Sequence, residues 1–299
     1  MIINLSGILS PYSKTSFLQD YFEQSVLVVN RQDAHFFQAF PLFDDIASLI
    51  EKAVSPAAYA VVLEDSAGAL AAEQYMHIRS LPGNIKFKYG VDINKVFQLY
   101  SSGAAIVVVN NLHEQFAAVD QLKYSLEAEL GCTCDSHILL QAAGAVPSRA
   151  AYETTEMFIL QLSGRTQWKI CEGPIQQPLS SQTDIPFDAD QLPVVSECTT
   201  AAGDTLYIPR GYVYTAYATD ENAVLLKVKC TFIPYLRLLL DQLKDIGLSS
   251  DLLRRSGFLH PTDNTTGPAE ATDMLTAQLN RQLTVEALES LYMRRRPVK

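Results

Sequence analysis

The stretch RAAYETTEMFILQLSGRTQWKI, residues 149–170, decides the fold class of this chain. It holds two runs rich in β-forming residues, EMFILQL and TQWKI, separated by Ser163 and Gly164. Two such runs around a turn predict two strands that follow one another in the chain. Similar short runs, divided by Gly, Pro and Asp turns, continue from residue 132 to residue 234. Many short strands at close spacing predict a β-sandwich or barrel over this region.

The sequence on either side of this region has a different pattern. Residues 1–131 alternate helical runs, such as VDINKVFQLYSSG and FAAVDQLKYSLEAELG, with β-branched runs such as SVLVVN and AAIVVVNNL. PLFDDIASLIEKA, from Pro41, is a further predicted helix, and helical periodicity returns after Pro234. The prediction is an α+β, mainly β protein: a domain over 1–234, made of an α/β preface (1–131) and a barrel core (132–234), followed by a helical region (235–299).

Bulk composition excludes several classes of function. The formal charge of −10 disfavours nucleic-acid binding, which needs excess Lys and Arg to neutralise phosphates. No run of 18 apolar residues and no basic, apolar N-terminal leader is present, so neither a membrane span nor a signal peptide is predicted. Five cysteines without framework spacing suit free thiols in a cytoplasmic protein. Cys132 and Cys134 form a close pair, but no second pair at zinc-site spacing accompanies them.

Several separated motifs carry a family resemblance. FLQDYFEQSVLVVNR, GAAIVVVNNLHEQF, EMFILQLSGRTQWKI and GDTLYIPRGYVYTA follow one another as in JmjC-type cupin proteins, and the chain resembles their bacterial and nucleolar ribosomal-oxygenase branch. The resemblance implies a double-stranded β-helix barrel with a helical dimerisation region. It also implies that working relatives are iron(II) and 2-oxoglutarate dependent hydroxylases, which hold iron through a His-x-Asp pair and a distant His.

This sequence departs from the family at those positions. The motif EMFILQL places Ala151 and Glu153 where the resemblance implies His and Asp, and GDTLYIPRG places Tyr214 where it implies the distant His. Thr166 stands where the family has a Lys or Arg that binds the 2-oxoglutarate carboxylate, and a hydroxyl cannot supply that charged contact. Neither a metal nor a cofactor is therefore predicted.

No histidine lies at a triad position. The five are His35, His77, His113, His137 and His260. His137, in the strand run SHILLQ, is predicted to be a hydrogen-bonded barrel residue, with a ligand or acid-base role as the alternative. His113 is interpreted as structural. Ser148 and Arg149 stand where the resemblance implies the substrate entrance, so they line either an altered pocket or a plain barrel rim.

Several functions remain open. The first is a catalytically degenerate JmjC-fold protein that binds a peptide, a protein or a small ligand at the barrel mouth, with Tyr152, Arg149, Thr166, His137 and Tyr217 as candidate cavity residues. The second is a metal-independent or differently metallated isomerase or lyase, in which Glu153 and Tyr214 supply acid-base groups if burial raises the pKa of Glu153 towards neutrality. A plainer alternative is that Glu153 only hydrogen-bonds Tyr214. The others are an authentic oxygenase with unusual ligands and a purely structural role.

The helical region has its own prediction. In YLRLLLDQL, Leu236, Leu239, Leu240 and Leu243 recur at helical spacing, which suits packing against another helix. That helix belongs either to the same chain or to a second copy. The resemblance favours the second copy, so the predicted partners are a homodimer mate and a bound ligand, without nucleic acid or membrane.

Overall fold

The structure of the chain is a computed structural model that describes residues 4–42, 61–83, 85–110, 116–145, 147–251, 253–254 and 267–295. Its helices are α1 (Leu5–Leu9), α2 (Lys14–Asp20), α3 (Ile93–Ser101), α4 (Ala117–Leu130), α5 (Tyr235–Ser249), α6 (Gly267–Gln282) and α7 (Val285–Arg295). The first seven strands are β1 (Leu27–Val29), β2 (Val61–Asp65), β3 (Gly68–Ala69), β4 (Met76–Leu81), β5 (Ile85–Val91), β6 (Ile106–Asn110) and β7 (Thr133–Gln141). The others are β8 (Ala151–Tyr152), β9 (Glu156–Ser163), β10 (Arg165–Cys171), β11 (Val194–Ala201), β12 (Thr205–Ile208), β13 (Val213–Ala218) and β14 (Ala223–Thr231).

Two antiparallel sheets build the barrel. The larger has the strand order β1-β12-β9-β14-β7-β6-β2-β3, and the smaller has the order β11-β10-β13-β8. The chain passes from β9 in the larger sheet to β10 in the smaller, and again from β12 to β13, before β14 returns to the larger. This alternate winding is the double-stranded β-helix, so the predicted α+β, mainly β fold is confirmed. β4 and β5 pair separately.

The core of the barrel lies between the two sheets. A cluster of buried side chains joins β9, β12 and β14 of the larger sheet to β10 and β13 of the smaller. Trp168, Ile170 and Tyr214 come from the smaller sheet, and Ile159 and Leu206 come from the larger. Burial of apolar side chains from two sheets against one another is the main stabilising contribution of such an architecture.

The outer face of the larger sheet is also covered. Phe17 of α2 packs on Phe158 of β9 and Tyr207 of β12, with ring centroids 5.6 and 4.8 Å apart. Because both faces are covered, every residue of β9 except the last is buried. This explains why EMFILQL reads as a continuous apolar run instead of an alternating one.

Local sequence signals set the element ends. The Ser13 hydroxyl accepts a hydrogen bond from the Ser16 amide and caps α2, and Asp92 caps α3 in the same way. Gly131 ends α4 with a φ of 71°, a left-handed conformation that glycine adopts at no steric cost. The long helical run near the C-terminus is divided into α6 and α7, because Thr284 caps a new helix through the Ala287 amide.

The chain divides into two compact units, Met1–Thr231 and Phe232–Lys299. The sequence reading did not anticipate β2 to β5, and the helix predicted from Pro41 lies outside the described residues. Among those residues, no helix combines the length and apolar character that a bilayer span requires.

Candidate functional site

A cavity of about 310 Å³ opens at one end of the barrel, and strand parity determines its lining. Alternate residues of a strand face the same side. The larger sheet therefore contributes His137, Leu139 and Gln141 from β7 and Leu225, Lys227 and Lys229 from β14. The smaller sheet contributes Trp168, Tyr214 and Ala216, and the segment before β9 contributes Ala151 and Glu153.

An ion-paired cluster lies inside this cavity. The Glu153 Oε1 atom lies 2.7 Å from the Lys229 ammonium and 3.5 Å from the Lys227 ammonium. The Tyr214 hydroxyl lies 3.4 Å from both Glu153 Oε1 and the Lys227 ammonium. The contact between Glu153 and Tyr214 that the sequence suggested is present, but it belongs to a larger charged group.

The charges determine the protonation of this cluster. Burial alone would raise the pKa of Glu153, but Lys227 and Lys229 together lower it below its usual value. Burial, reinforced by the Glu153 charge, raises the pKa of Tyr214 far above the usual range. Glu153 is therefore ionised and Tyr214 is neutral near pH 7. The condition for Glu153 as a general base of raised pKa is not met.

The three positions that the resemblance implies as iron ligands do come together. Ala151 of β8 pairs directly with Tyr214 of β13, and Glu153 reaches the Tyr214 hydroxyl. Ala151 has no donor atom, Tyr214 is held in its protonated form, and Glu153 is engaged by two ammonium groups. The Lys227 ammonium within this group would repel a second cation. These residues do not fit an iron(II) site.

The position implied for the 2-oxoglutarate carboxylate is equally unsuited. Thr166 is fully buried and lies opposite Thr200 and Ala218 in its sheet, and it is not among the residues that line the cavity. Nearby, the Trp168 indole donates to the Thr200 hydroxyl, which donates to Gln161 Oε1. A neutral hydrogen-bonded network thus occupies this part of the barrel. Arg165 is exposed on the opposite face, as its parity predicts.

His137 is a barrel histidine with one free nitrogen. Its Nδ1 atom lies 2.6 Å from Asn110 Oδ1, while the buried Nε2 atom has no hydrogen-bond partner. Burial, helped by the Lys229 and Lys227 charges, lowers the pKa of His137 to about 4. The imidazole is therefore neutral at pH 7. Because Nδ1 donates to Asn110, the free Nε2 atom can accept one hydrogen bond from a ligand in the cavity.

Of the two alternatives for Ser148 and Arg149, an altered pocket or a plain barrel rim, their positions match the altered pocket. Both residues line the cavity. Ser148 is fixed by a reciprocal pair of hydrogen bonds with the backbone of Ala216. Arg149 is exposed and lies against Gly68, so it adds a cation at the entrance.

Besides Thr166, two further predicted cavity residues do not line the cavity, and the assignment of all three is corrected here. Tyr152 alternates with Ala151 and Glu153, so its ring packs on Phe187, and its hydroxyl donates to the Gln182 carbonyl. Tyr217 is three residues from Tyr214 and lies on the opposite face of β13, where it hydrogen-bonds Gln167. Neither residue lines the cavity, because strand parity directs both away from it.

Lys227 and Lys229 are the functional residues that sequence reasoning missed. The sequence feature that could have identified them is the alternation of lysines with apolar residues in LLKVKC. In a strand, such alternating polar positions ordinarily indicate the face that is exposed to solvent. The structure reverses this expectation, because Leu226, Val228 and Cys230 are buried on the outer side. The face of β14 that carries Lys227 and Lys229 therefore points into the barrel.

This architecture, two facing antiparallel sheets wound alternately around a polar cavity, defines a cupin-type double-stranded β-helix protein. Residues 111–237 match the JmjC domain, and the chain is similar in sequence to curated ribosomal oxygenases.

Curated relatives and solved structures agree with this assignment. The chain is 24% identical over 221 residues to the Drosophila yakuba bifunctional lysine-specific demethylase and histidyl-hydroxylase NO66, covering 73% of this chain and 30% of that protein. It is 23% identical over 215 residues to ribosomal oxygenase 1 of Danio rerio, covering 69% and 36%. The chain thus spans about a third of the length of these relatives.

The fold is shared with Escherichia coli YcfD. One YcfD structure gives a TM-score of 0.58 at 15% identity and covers 96% of this chain and 74% of that one. Another, of the ribosomal oxygenase YcfD in complex with cobalt and 2-oxoglutarate, gives 0.55 at 16% identity, covering 94% and 70%. At these identities the likeness shows the fold alone.

Proposed function

We propose that this JmjC-domain protein binds an anionic ligand at the barrel mouth and lacks the iron(II) and 2-oxoglutarate chemistry of its relatives. One observation carries the proposal: the Lys227 ammonium lies 3.5 Å from Glu153 and 3.4 Å from Tyr214, at two of the positions implied as metal ligands. A cation belonging to the protein thus takes the place that a metal would need. Loss of the Lys227 charge would destabilise the fold, since the largely buried Glu153 carboxylate would then keep only one cation.

The charge of the cavity supports the ligand class. Three cationic residues line it, namely Arg149, Lys227 and Lys229, against the carboxylates Glu64 and Glu153. Both lysine ammonium groups pair with the one carboxylate of Glu153, which leaves one positive charge uncompensated. The negative charge of a bound anion would neutralise it. His137 Nε2 and Gln141 Oε1 are buried without partners, and as acceptors they would bind a hydroxyl or amide donor elsewhere on the ligand, not its carboxylate. The volume suits a small carboxylic acid or the acidic side chain of a peptide.

The oxygenase alternative is tested with metal and turnover together. Protein purified in the presence of ferrous iron is analysed for bound iron, and succinate release from 2-oxoglutarate is measured with YcfD as the positive control. We expect neither bound iron nor succinate. Iron near one per chain together with succinate formation would overturn the proposal.

The binding itself is tested by calorimetry. Succinate, longer dicarboxylic acids and an acidic hexapeptide are each titrated against their uncharged amide counterparts. We expect at least one acid to bind and its amide to fail. Lys229→Met should weaken that binding at least tenfold, while Lys169→Met, on the exposed outer face of β10, should leave it unchanged. Binding of no acid, or equal binding of acid and amide, would refute the ligand class.

Glu153→Gln separates binding from the acid-base alternative. In a binding protein this change frees Lys227 and Lys229 from their carboxylate, so the affinity for the anion should rise. In an isomerase or lyase that uses Glu153 as its base, the change should abolish conversion of the ligand while leaving binding nearly intact. Nuclear magnetic resonance of the ligand before and after incubation with wild-type protein detects any conversion.

We also propose that the helical unit forms a homodimer. Leu236 and Leu240 of the predicted stripe are 47% and 53% exposed, while Leu238 faces inward, so no described residue covers this part of the stripe. Light scattering should give a dimeric mass for wild type and a monomeric mass for the double substitution Leu236→Glu, Leu240→Glu. Leu18→Glu, at an exposed leucine of α2, is the matched control. A dimeric double variant would contradict this surface.

A cytoplasmic location completes the proposal. All five cysteines are free thiols in the structure, which suits a reducing compartment. Fractionation of cells that express the tagged chain should recover it with cytoplasmic markers; recovery with membranes would contradict the location.

A further inference from the structure

Three cysteines from two distant parts of the sequence meet inside the barrel unit, away from the cavity. Cys132 and Cys134 lie at the start of β7, and Cys230 lies opposite Cys134 on β14. The Cys134 sulfur is 3.6 Å from that of Cys132 and 3.4 Å from that of Cys230, and all three sulfurs lie within 4.8 Å of one another. Each side chain is 2% exposed or less.

Parity and register produce this cluster. Cys132 and Cys134 share one face because they are two residues apart, and the antiparallel pairing brings Cys230 directly across. The sequence shows only a lone pair at residues 132 and 134, since the third thiol is 96 residues away from Cys134. The sequence therefore gave no reason to expect a metal site here.

The spacing of the sulfurs suits a bound metal ion. Three sulfurs that each lie about 2.3 Å from one ion are about 4 Å apart in a planar triangle. Two of the separations, 3.4 and 3.6 Å, are slightly shorter than this value, and the third is no more than 4.8 Å. A disulfide requires about 2 Å between sulfurs, so it needs a larger displacement of packed strands.

The surroundings also favour a cation. The cluster lies at the carboxyl-terminal end of α4, where the helix carries partial negative charge, and the Cys132 sulfur contacts the Leu126 carbonyl at 3.7 Å. The nearby Glu127 carboxylate is already bound by the Cys134 amide and Lys123.

We infer that Cys132, Cys134 and Cys230 form a three-thiolate site for a soft metal ion, with Cu(I) as the best match. Thiolates select soft ions such as Cu(I) and zinc. Structural zinc sites almost always have four ligands, and within the described residues no further Cys, His, Asp or Glu joins these three sulfurs. Binding of the ion displaces thiol protons to solvent and leaves the oxidation state of the metal unchanged.

The test uses the full reduced chain produced in copper-supplemented cells and purified without oxygen. Native mass spectrometry should show one copper per chain, and X-ray absorption should show three sulfur neighbours. Competition with a Cu(I) chelator should give each of Cys132→Ala, Cys134→Ala and Cys230→Ala at least a tenfold loss of affinity. Cys171→Ala removes another buried free thiol and is the matched control, with unchanged affinity expected.

Other outcomes overturn the site. They are copper that is absent from wild type, copper retained by the triple alanine variant, or a nitrogen and oxygen shell around the ion. A mass loss of two hydrogens that maps to a bond between Cys134 and Cys230 would instead identify a disulfide. If a variant fails to fold by circular dichroism, the absorption spectrum of the wild-type protein still decides. None of these readouts depends on the ligand proposed for the barrel cavity.

Discussion

Two glutamates three residues apart, Glu153 half-buried and Glu156 fully buried, have pKa values shifted in opposite directions. Glu153 faces the cavity, and Lys227 and Lys229 lower its pKa. Glu156 is 1% exposed on the other side of the larger sheet, where the Tyr207 hydroxyl donates to it at 2.5 Å. Burial raises the pKa of Glu156 to about 7, although Tyr207 and Arg210 act in the other direction.

The difference lies in the partners of each carboxylate. Glu153 has two ammonium groups to itself. Glu156 shares Arg210 with Glu23: the Arg210 guanidinium lies 2.6 Å from Glu23 and 3.4 Å from Glu156 Oε1, the latter without hydrogen-bond geometry. The protonation state of each carboxylate therefore follows from its burial together with the number of cations that it does not share.

The largest expected effect comes from removing both cations of Glu153. Lys227→Met with Lys229→Met leaves the half-buried Glu153 carboxylate unpaired, which we expect to cost about 3 kcal/mol of unfolding free energy at pH 8. Burial then raises the pKa of Glu153, so the loss should be smaller at pH 5. Urea unfolding at both pH values measures this. A double variant as stable as wild type would show that Glu153 does not depend on the lysines.

Glu156→Gln should change the pH dependence of stability. A carboxyl whose pKa is raised on folding stabilises the native state at low pH, and that contribution is lost as pH rises. The window here runs from about 4.3, the unfolded value, to about 7. Wild type should therefore lose about 2–3 kcal/mol relative to the variant between pH 4 and pH 8. Parallel curves for the two proteins would contradict the raised pKa.

Tyr207→Phe should have a moderate effect on the same glutamate. The change removes the short hydrogen bond to Glu156 and one accepted from the Glu23 amide. We expect a loss of about 1–2 kcal/mol in unfolding free energy, because a buried acceptor is left without its donor. The loss should be smaller when Glu156→Gln is already present, because only the contact with the Glu23 amide and a neutral hydrogen bond then remain to be lost, and a double-mutant cycle by urea unfolding tests that coupling.

Tyr214→Phe should have the smallest effect of the four. Both hydrogen bonds of the Tyr214 hydroxyl are long, at 3.4 Å. Without that hydroxyl, Lys227 and Lys229 would still form their ion pairs with Glu153. We expect a change below about 1 kcal/mol by thermal unfolding and a less than threefold change in anion affinity. A large loss of ligand conversion instead would identify Tyr214 as a catalytic donor.

Much of the fold was predictable from local signals. The strands of 149–170, the cap at Ser13 and the helix end at Gly131 follow from residue type, because turn and cap conformations depend on a few neighbouring atoms. β2 and β3 were missed because their pairing with β6 is a contact distant in sequence. The long C-terminal run was treated as one helical segment, although Thr284 provides the cap for a second helix.

The candidate site was predictable only in part. The motifs located Ala151, Glu153 and Tyr214, and the structure brings them together. The predictions of Tyr152, Tyr217 and Thr166 as cavity residues are wrong, and for the two tyrosines strand parity relative to Ala151 and Tyr214 already separates them from the cavity. Lys227 and Lys229 resemble a solvent-facing stripe until the opposite face of β14 is found to be buried as well.

By itself, the sequence determined the barrel strands and the chemical groups at the key positions. Residues 151 and 214 carry no imidazole, and residue 166 carries no cation. These follow from residue identity and local backbone preference. Only the tertiary structure decided where charge accumulates, because the ion pairs of Glu153 and the thiol cluster join residues 74 and 96 positions apart. Such contacts depend on sheet order and register, which neighbouring residues alone do not specify.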